Sequence, residues 1–126
     1  MPRGSVVAAR FAYRSPQEGS RRMPRTIRKY WGPLQGRATL NFNWGDINHD
    51  SVVLITAAEY VITTPANNEH RFIGAASITV ENIAPHGPPF DPNHGVTFIV
   101  NIGWGSPLPI VTDITVLDSP PVEVDV

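Results

Sequence analysis

From residue 38 to residue 44 the chain alternates strictly, with Ala38, Leu40, Phe42 and Trp44 interleaved with Thr39, Asn41 and Asn43. A period of two puts these sets on opposite faces of an extended strand, one face buried and one wet. No helix gathers that apolar set on one side. This segment therefore constrains the fold more than any other, and its neighbours follow suit. Residues 52–64 are rich in Val, Ile and Thr, whose branched Cβ favours a strand, with a bulge expected near Ala57. Residues 71–83, 96–102 and 110–117 read as further strands.

Between these segments lie breakers. The chain carries thirteen prolines and ten glycines, many of them in these connections, and where a helix is conceivable, through Ala57, Ala58 and Glu59, the flanking Thr56, Val61, Ile62, Thr63 and Thr64 argue for a strand. Residues 45–51 carry turn chemistry in Gly45, Asp46, Asn48 and Asp50, and residues 84–95 hold Pro85, Pro88, Pro89 and Pro92, too many for regular structure. Short strands joined by polar, Gly- and Pro-rich connections predict an all-β fold, a small antiparallel β-sandwich of immunoglobulin-like or jelly-roll-like type. A short echo of residues 77–85 in residues 113–121 is read as two strands that each run out of a sheet into proline.

Charge divides the chain. Nine of the ten Lys and Arg residues fall within residues 1–37, opposed only by Glu18, for a net +8. From residue 38 onward Arg71 alone faces ten acids, for a net −9. Residues 1–36 are accordingly read as an extended basic arm and residues 37–126 as the β-sandwich domain. The arm's partner-binding residues are expected to be Arg10, Arg14, Arg21, Arg22, Arg25, Arg28 and Lys29. Met23 lies inside this arm, and a chain started there would keep the body intact.

Several chemistries are excluded or disfavoured by residue type. The chain has no cysteine, so disulfides, thiolate metal sites and cysteine nucleophiles are ruled out. No apolar run approaches the ~20 residues of a membrane span, and Arg10 and Arg14 interrupt the short apolar stretch that a secretory signal would extend. The chain is expected to be soluble, with no compartment specified. It lacks a Gly-x-Ser-x-Gly elbow, and the glycines around Trp104 lack the Gly-Lys-Ser/Thr ending of a phosphate loop. The chain is read as a non-enzyme without a cofactor.

Metal ligation finds only partial patterns. Asp46, Asn48 and Asp50 open like a calcium loop, but the late acid is missing because the twelfth position is Ala57. His86, Asp91 and His94 offer imidazole and carboxylate in one loop, yet without His-x-His or His-x-x-x-His spacing. The four histidines are read as exposed loop residues and no metal is assigned.

Trp31, Trp44 and Trp104 each adjoin a glycine. Trp44 continues the apolar face of its strand and is expected in the core. Trp104, between two glycines, is expected to be exposed and, with Asp91 and Asn93, to form a ligand loop suited to sugar stacking. Three functional expectations follow. The first is a non-catalytic structural subunit, a homo-oligomer that self-associates through its arm into a shell, fibre or coat. The second is a carbohydrate-binding, lectin-like module that takes a glycan. The third is nucleic-acid or anionic-surface binding by the arm alone.

Overall fold

The computed structural model describes residues 24–62 and 68–125. Seven strands run through them and no helix does: β1 (Arg25–Leu34), β2 (Gly36–Asn43), β3 (Val52–Val61), β4 (His70–Phe72), β5 (Ser77–His86), β6 (Gly95–Gly103) and β7 (Leu108–Leu117). They form two antiparallel sheets, β1-β7-β3-β4 and β2-β6-β5. The all-β expectation is met, and the two sheets face each other in a sandwich-like arrangement.

The alternation seen in the sequence decides which faces meet. In β6, Val96, Phe98, Val100 and Ile102 point inward and are fully or almost fully buried. Opposite them in register stand Phe42, Leu40 and Ala38 of β2. The facing sheet contributes Ile110, Ile114 and Val116 from β7, and Val53 and Ile55 from β3. Three strands, β6, β7 and β3, have neighbours on two sides, and their inward residues form the heart of the core. Burying each of these side chains is worth roughly 1.5–3 kcal/mol.

The chain passes from one sheet to the other at Gln35–Gly36, where Gly36 adopts φ +67°. A side chain is disfavoured in that left-handed region, and glycine removes the conflict. A second left-handed glycine, Gly32 at φ +85°, lies where β1 slips register against β7 between Tyr30 and Gly32. The extra residue in that bulge, Trp31, packs against the core. In β5 the register shifts between Glu81 and Ala84, and Asn82 takes φ +53°, a conformation asparagine tolerates better than most residues.

Four expectations are corrected. The folded body begins at Arg25 rather than Arg37, because residues 25–34 are an edge strand of the first sheet. Residues 71–83 are not one strand, since β4 ends at Phe72 and β5 begins at Ser77 in the other sheet. β5 continues through Pro85 to His86, which is allowed because β5 is an edge strand and needs no donor on its open side. The β3–β7 register runs unbroken from Val52 to Glu59, so there is no bulge at Ala57. The turn at residues 45–51 does more than reverse the chain. Its Ile47 is fully buried in the core, held by Ile47 N–H to Trp44 O at 3.0 Å and Trp44 N–H to His94 O at 2.9 Å.

Candidate functional site: a lone carboxylate at the sandwich edge

The residues singled out by sequence fall into separate places. Asp46 is engaged by Arg25, whose Nη1 lies 2.7 Å from Asp46 Oδ2. Asn48 donates its backbone N–H to Ser51 Oγ, and Asp50 is exposed beside it. The calcium-like spacing is thus a turn closed by an arginine. His86 and His94 are not free loop residues either. His86 Nδ1 is 2.8 Å from Asn93 O and its Nε2 is 2.7 Å from Asn41 Oδ1, while His94 Nδ1 is 2.8 Å from Ile47 O. Asp91 Oδ1 accepts the Asn93 N–H, and its Oδ2 stands 3.9 Å from His86 Nδ1. These contacts tie the proline-rich loop to the turn below it. Among the described residues no group of three or more His, Asp or Glu is placed to hold a metal.

The predicted ligand loop is divided. Asp91 and Asn93 lie just before β6 and Trp104 just after it, so the length of β6 separates them by ~26 Å. Trp104 is indeed exposed, at 47 % of its surface. Its turn is fixed by Gln35 Nε2 donating to Gly105 O at 2.9 Å.

Three of the expected arm residues belong to the body. Arg28 reaches Asp113 with two bonds, Nε to Oδ1 at 2.7 Å and Nη2 to Oδ2 at 2.9 Å, and Arg71 adds Nη1 to Oδ2 at 3.0 Å. The paired guanidinium of Arg28 first, and the charge of Arg71 with it, hold the Asp113 carboxyl below the usual carboxylate range against the opposing effect of burial. Asp113 in turn pushes Arg28 further up. Lys29 Nζ lies 5.2 Å from the ring centre of Trp31, a cation–π distance. Arg10, Arg14, Arg21 and Arg22 lie outside the described residues. An open hollow of about 430 Å³ beside β4 is flanked by Arg28 and Arg71, whose charges Asp113 already engages.

One further acid, Glu59, falls two residues past the late position of a calcium loop and belongs to no motif of the sequence. It shares the inward face of β3 with Val53, Ile55 and Ala57, and only 7 % of its surface is exposed. All four described arginines have a carboxylate partner: Arg25 with Asp46, Arg28 and Arg71 with Asp113, and Arg37 with Glu81. Glu59 has no hydrogen-bond or ion-pair partner among the described residues. It lines a pocket of about 200 Å³ with Ala57, Phe72, Ile73, Gly74, Ala76 and Ile78, between β3, the β4–β5 connection and β5. Gly74 lies so close that a Cβ there would collide with the Glu59 carboxylate. A carboxylate buried without a counter-charge carries a desolvation cost that a cation beside it would offset.

Comparison with family models, curated proteins and solved structures returns no match.

Among the described residues no helix is long and apolar enough to cross a membrane. Glu59 was legible in one respect, because counting by twos from Val53 reaches it on the buried face. The expected bulge at Ala57 would have turned it outward.

Proposed function

We propose that this chain is a non-catalytic structural subunit that self-associates, using its basic N-terminal segment, into a shell-, fibre- or coat-type assembly. The observation that carries the reading is the apolar, acid-bearing edge at β4. Ile73 is 98 % exposed and its neighbour Phe72 is exposed too, beside a buried carboxylate that has no counter-charge among the described residues. Exposed apolar side chains at the end of a short edge strand favour burial against another protein surface. The charge split supports the same partner. Residues 1–23 hold five arginines against Glu18, a net +4, while residues 24–126 carry a net −5.

Topology adds support of a weaker kind. β1 pairs with β7 and β2 with β6, the two pairs lying in opposite sheets, so the chain wraps as a folded-back ribbon. Of the two sandwich types expected, this nesting favours the jelly-roll-like one, an architecture used by capsid and lectin domains alike. That is an argument from fold analogy, and it selects neither use by itself.

Multi-angle light scattering of the full chain tests the reading. The expected mass at low salt is a multiple of 13.8 kDa, falling toward the monomer as salt screens the arm. A monomer at every salt and concentration sinks it. A lectin-like reading is favoured only by exposed Trp104, since Asp91 and Asn93 lie at the other end of β6; a glycan array in which Trp104→Ala abolishes binding would establish it. Nucleic-acid binding by the arm loses three of its seven expected cations to the body, leaving Arg10, Arg14, Arg21 and Arg22 to carry it.

A further inference from the structure

The structure assigns the Glu59 pocket as the seat of an arginine side chain from the N-terminal segment, residues 1–22, of a second copy of this chain. The inference rests on the self-association proposed above and names its contact. Three observations converge on it. Glu59 is a carboxylate more than nine-tenths buried, unpartnered among the described residues, in the lining of a pocket. The walls are apolar or small, with Phe72, Ile73, Ala76 and Ile78 suited to the methylene stem of a long side chain and Glu59 to its charged head. Every described arginine is already paired, so the counter-charge comes from elsewhere, and the five arginines of residues 1–22 are the chain's remaining ones. Arginine suits a carboxylate better than lysine does here, because its planar fork gives two parallel bonds and it sheds water more readily.

Geometry favours a neighbour over the same copy. The N-terminal segment joins the body at β1, one edge of the first sheet, and the pocket lies at the end of β4, the other edge. Along the strands, Arg25 is level with Val116 and Glu59 with Ile110, a separation of ~20 Å, with ~10 Å more across two strand spacings. Arg22 and Arg21 precede Arg25 by so few residues that an extended chain carries them only ~10–14 Å from it. Arg14, Arg10 and Arg3 could span the distance within one copy but would have to pass around the sheet edge. Copies set with the β1 edge of one beside the β4 edge of the next need no such path. This is a head-to-tail contact, which builds rings or filaments rather than closed dimers.

Two measurements on the full chain test the inference. In the first, sedimentation equilibrium compares wild type with Glu59→Gln, which keeps the shape of the side chain and removes the charge. The expected result is self-association at least tenfold weaker in the variant, with an unfolding temperature no lower than that of wild type. In the second, a variant with Arg3, Arg10, Arg14, Arg21 and Arg22 replaced by lysine is prepared in light and heavy isotopic forms, mixed, and treated with a zero-length carbodiimide. A light–heavy cross-link between Glu59 and one of these lysines supports the inference and names the position. A cross-link to Glu59 confined to single copies, or none to Glu59 together with unchanged association in Glu59→Gln, overturns it. Wild type that oligomerises while Glu59→Gln associates equally well removes only this contact, whereas monomeric wild type removes the self-association reading as a whole.

Discussion

Trp31 Nε1 donates to Thr112 Oγ1 at 2.8 Å, joining the bulged edge strand β1 to a hydroxyl that has no exposure to water. The same indole meets Phe98 of the opposite sheet edge-on, with ring centres 6.1 Å apart and planes at 74°. One side chain thus links β1, β7 and β6. Trp31→Phe is expected to keep the ring contact and leave the Thr112 hydroxyl unpaired, at a cost of about 1–2 kcal/mol. Trp31→Ala is expected to cost about 3 kcal/mol, because it opens a cavity as well. Urea denaturation of both variants, followed by far-UV circular dichroism, gives the two values. No loss in Trp31→Phe would show that the hydrogen bond contributes nothing measurable, and equal losses would show that the ring adds nothing beyond it.

The ion pairs on the outer face of the first sheet set an acid limit to stability. Arg28 and Arg71 depress the Asp113 carboxyl in the folded state. A depressed carboxylate stabilises the fold at pH values above its unfolded pKa of about 3.9, and that contribution is lost as pH falls through the lower folded value. Stability is therefore expected to drop below about pH 4 in wild type and to drop less steeply in Asp113→Asn. At neutral pH the substitution should cost only about 1 kcal/mol, since both arginine heads are about half exposed and water screens the pairs. Urea midpoints measured across the acid range decide this, and parallel curves for the two proteins would refute it.

Glycine substitutions separate close approach from open turns. Gly95 begins β6 between Asn43 of β2 and His86 of β5. A Cβ there would collide with Phe42 O, and would lie 2.8 Å from Asn43 Cα and 2.9 Å from His86 Cε1. The first two are backbone atoms of a paired strand and cannot move without breaking register. Gly95→Ala is expected to destabilise by about 2 kcal/mol or more. Gly105→Ala meets nothing within 4 Å and should change stability by no more than about 0.5 kcal/mol. Thermal melts of the pair provide the contrast.

The strands were legible because side-chain parity is a local property. Leu40 and Phe42 had to face one way once their neighbours were Thr39, Asn41 and Asn43, whatever the rest of the chain did. Charge misled where parity was uneven. Residues 25–34 looked like arm because Arg25, Arg28 and Lys29 crowd them, yet on an edge strand Arg25 and Arg28 stay about half exposed and find carboxylates at Asp46 and Asp113, while Lys29 lies over the Trp31 ring. Those partners lie 21 and 85 residues away in sequence, so the pairing could not be read without the fold. The site suffered the same limit. Asp91, Asn93 and Trp104 are close along the chain but lie at opposite ends of β6, while Glu59 and Ile73 meet only because β3 turns back through β4.

Gly74 offers a way to fill the proposed seat without touching its charge. A Cβ at this position would occupy the space of Glu59 Oε1, the end of a flexible side chain, and lie 3.5 Å from Phe72 Cε2. The carboxylate can swing aside, so Gly74→Ala is expected to cost about 1 kcal/mol of stability at most. The pocket would be narrowed at the point where an incoming guanidinium meets Glu59. Self-association should therefore weaken severalfold while the monomer stays folded, a combination read by sedimentation equilibrium beside a thermal melt. Association as strong as wild type in a folded Gly74→Ala protein would mean that nothing enters the pocket from this side.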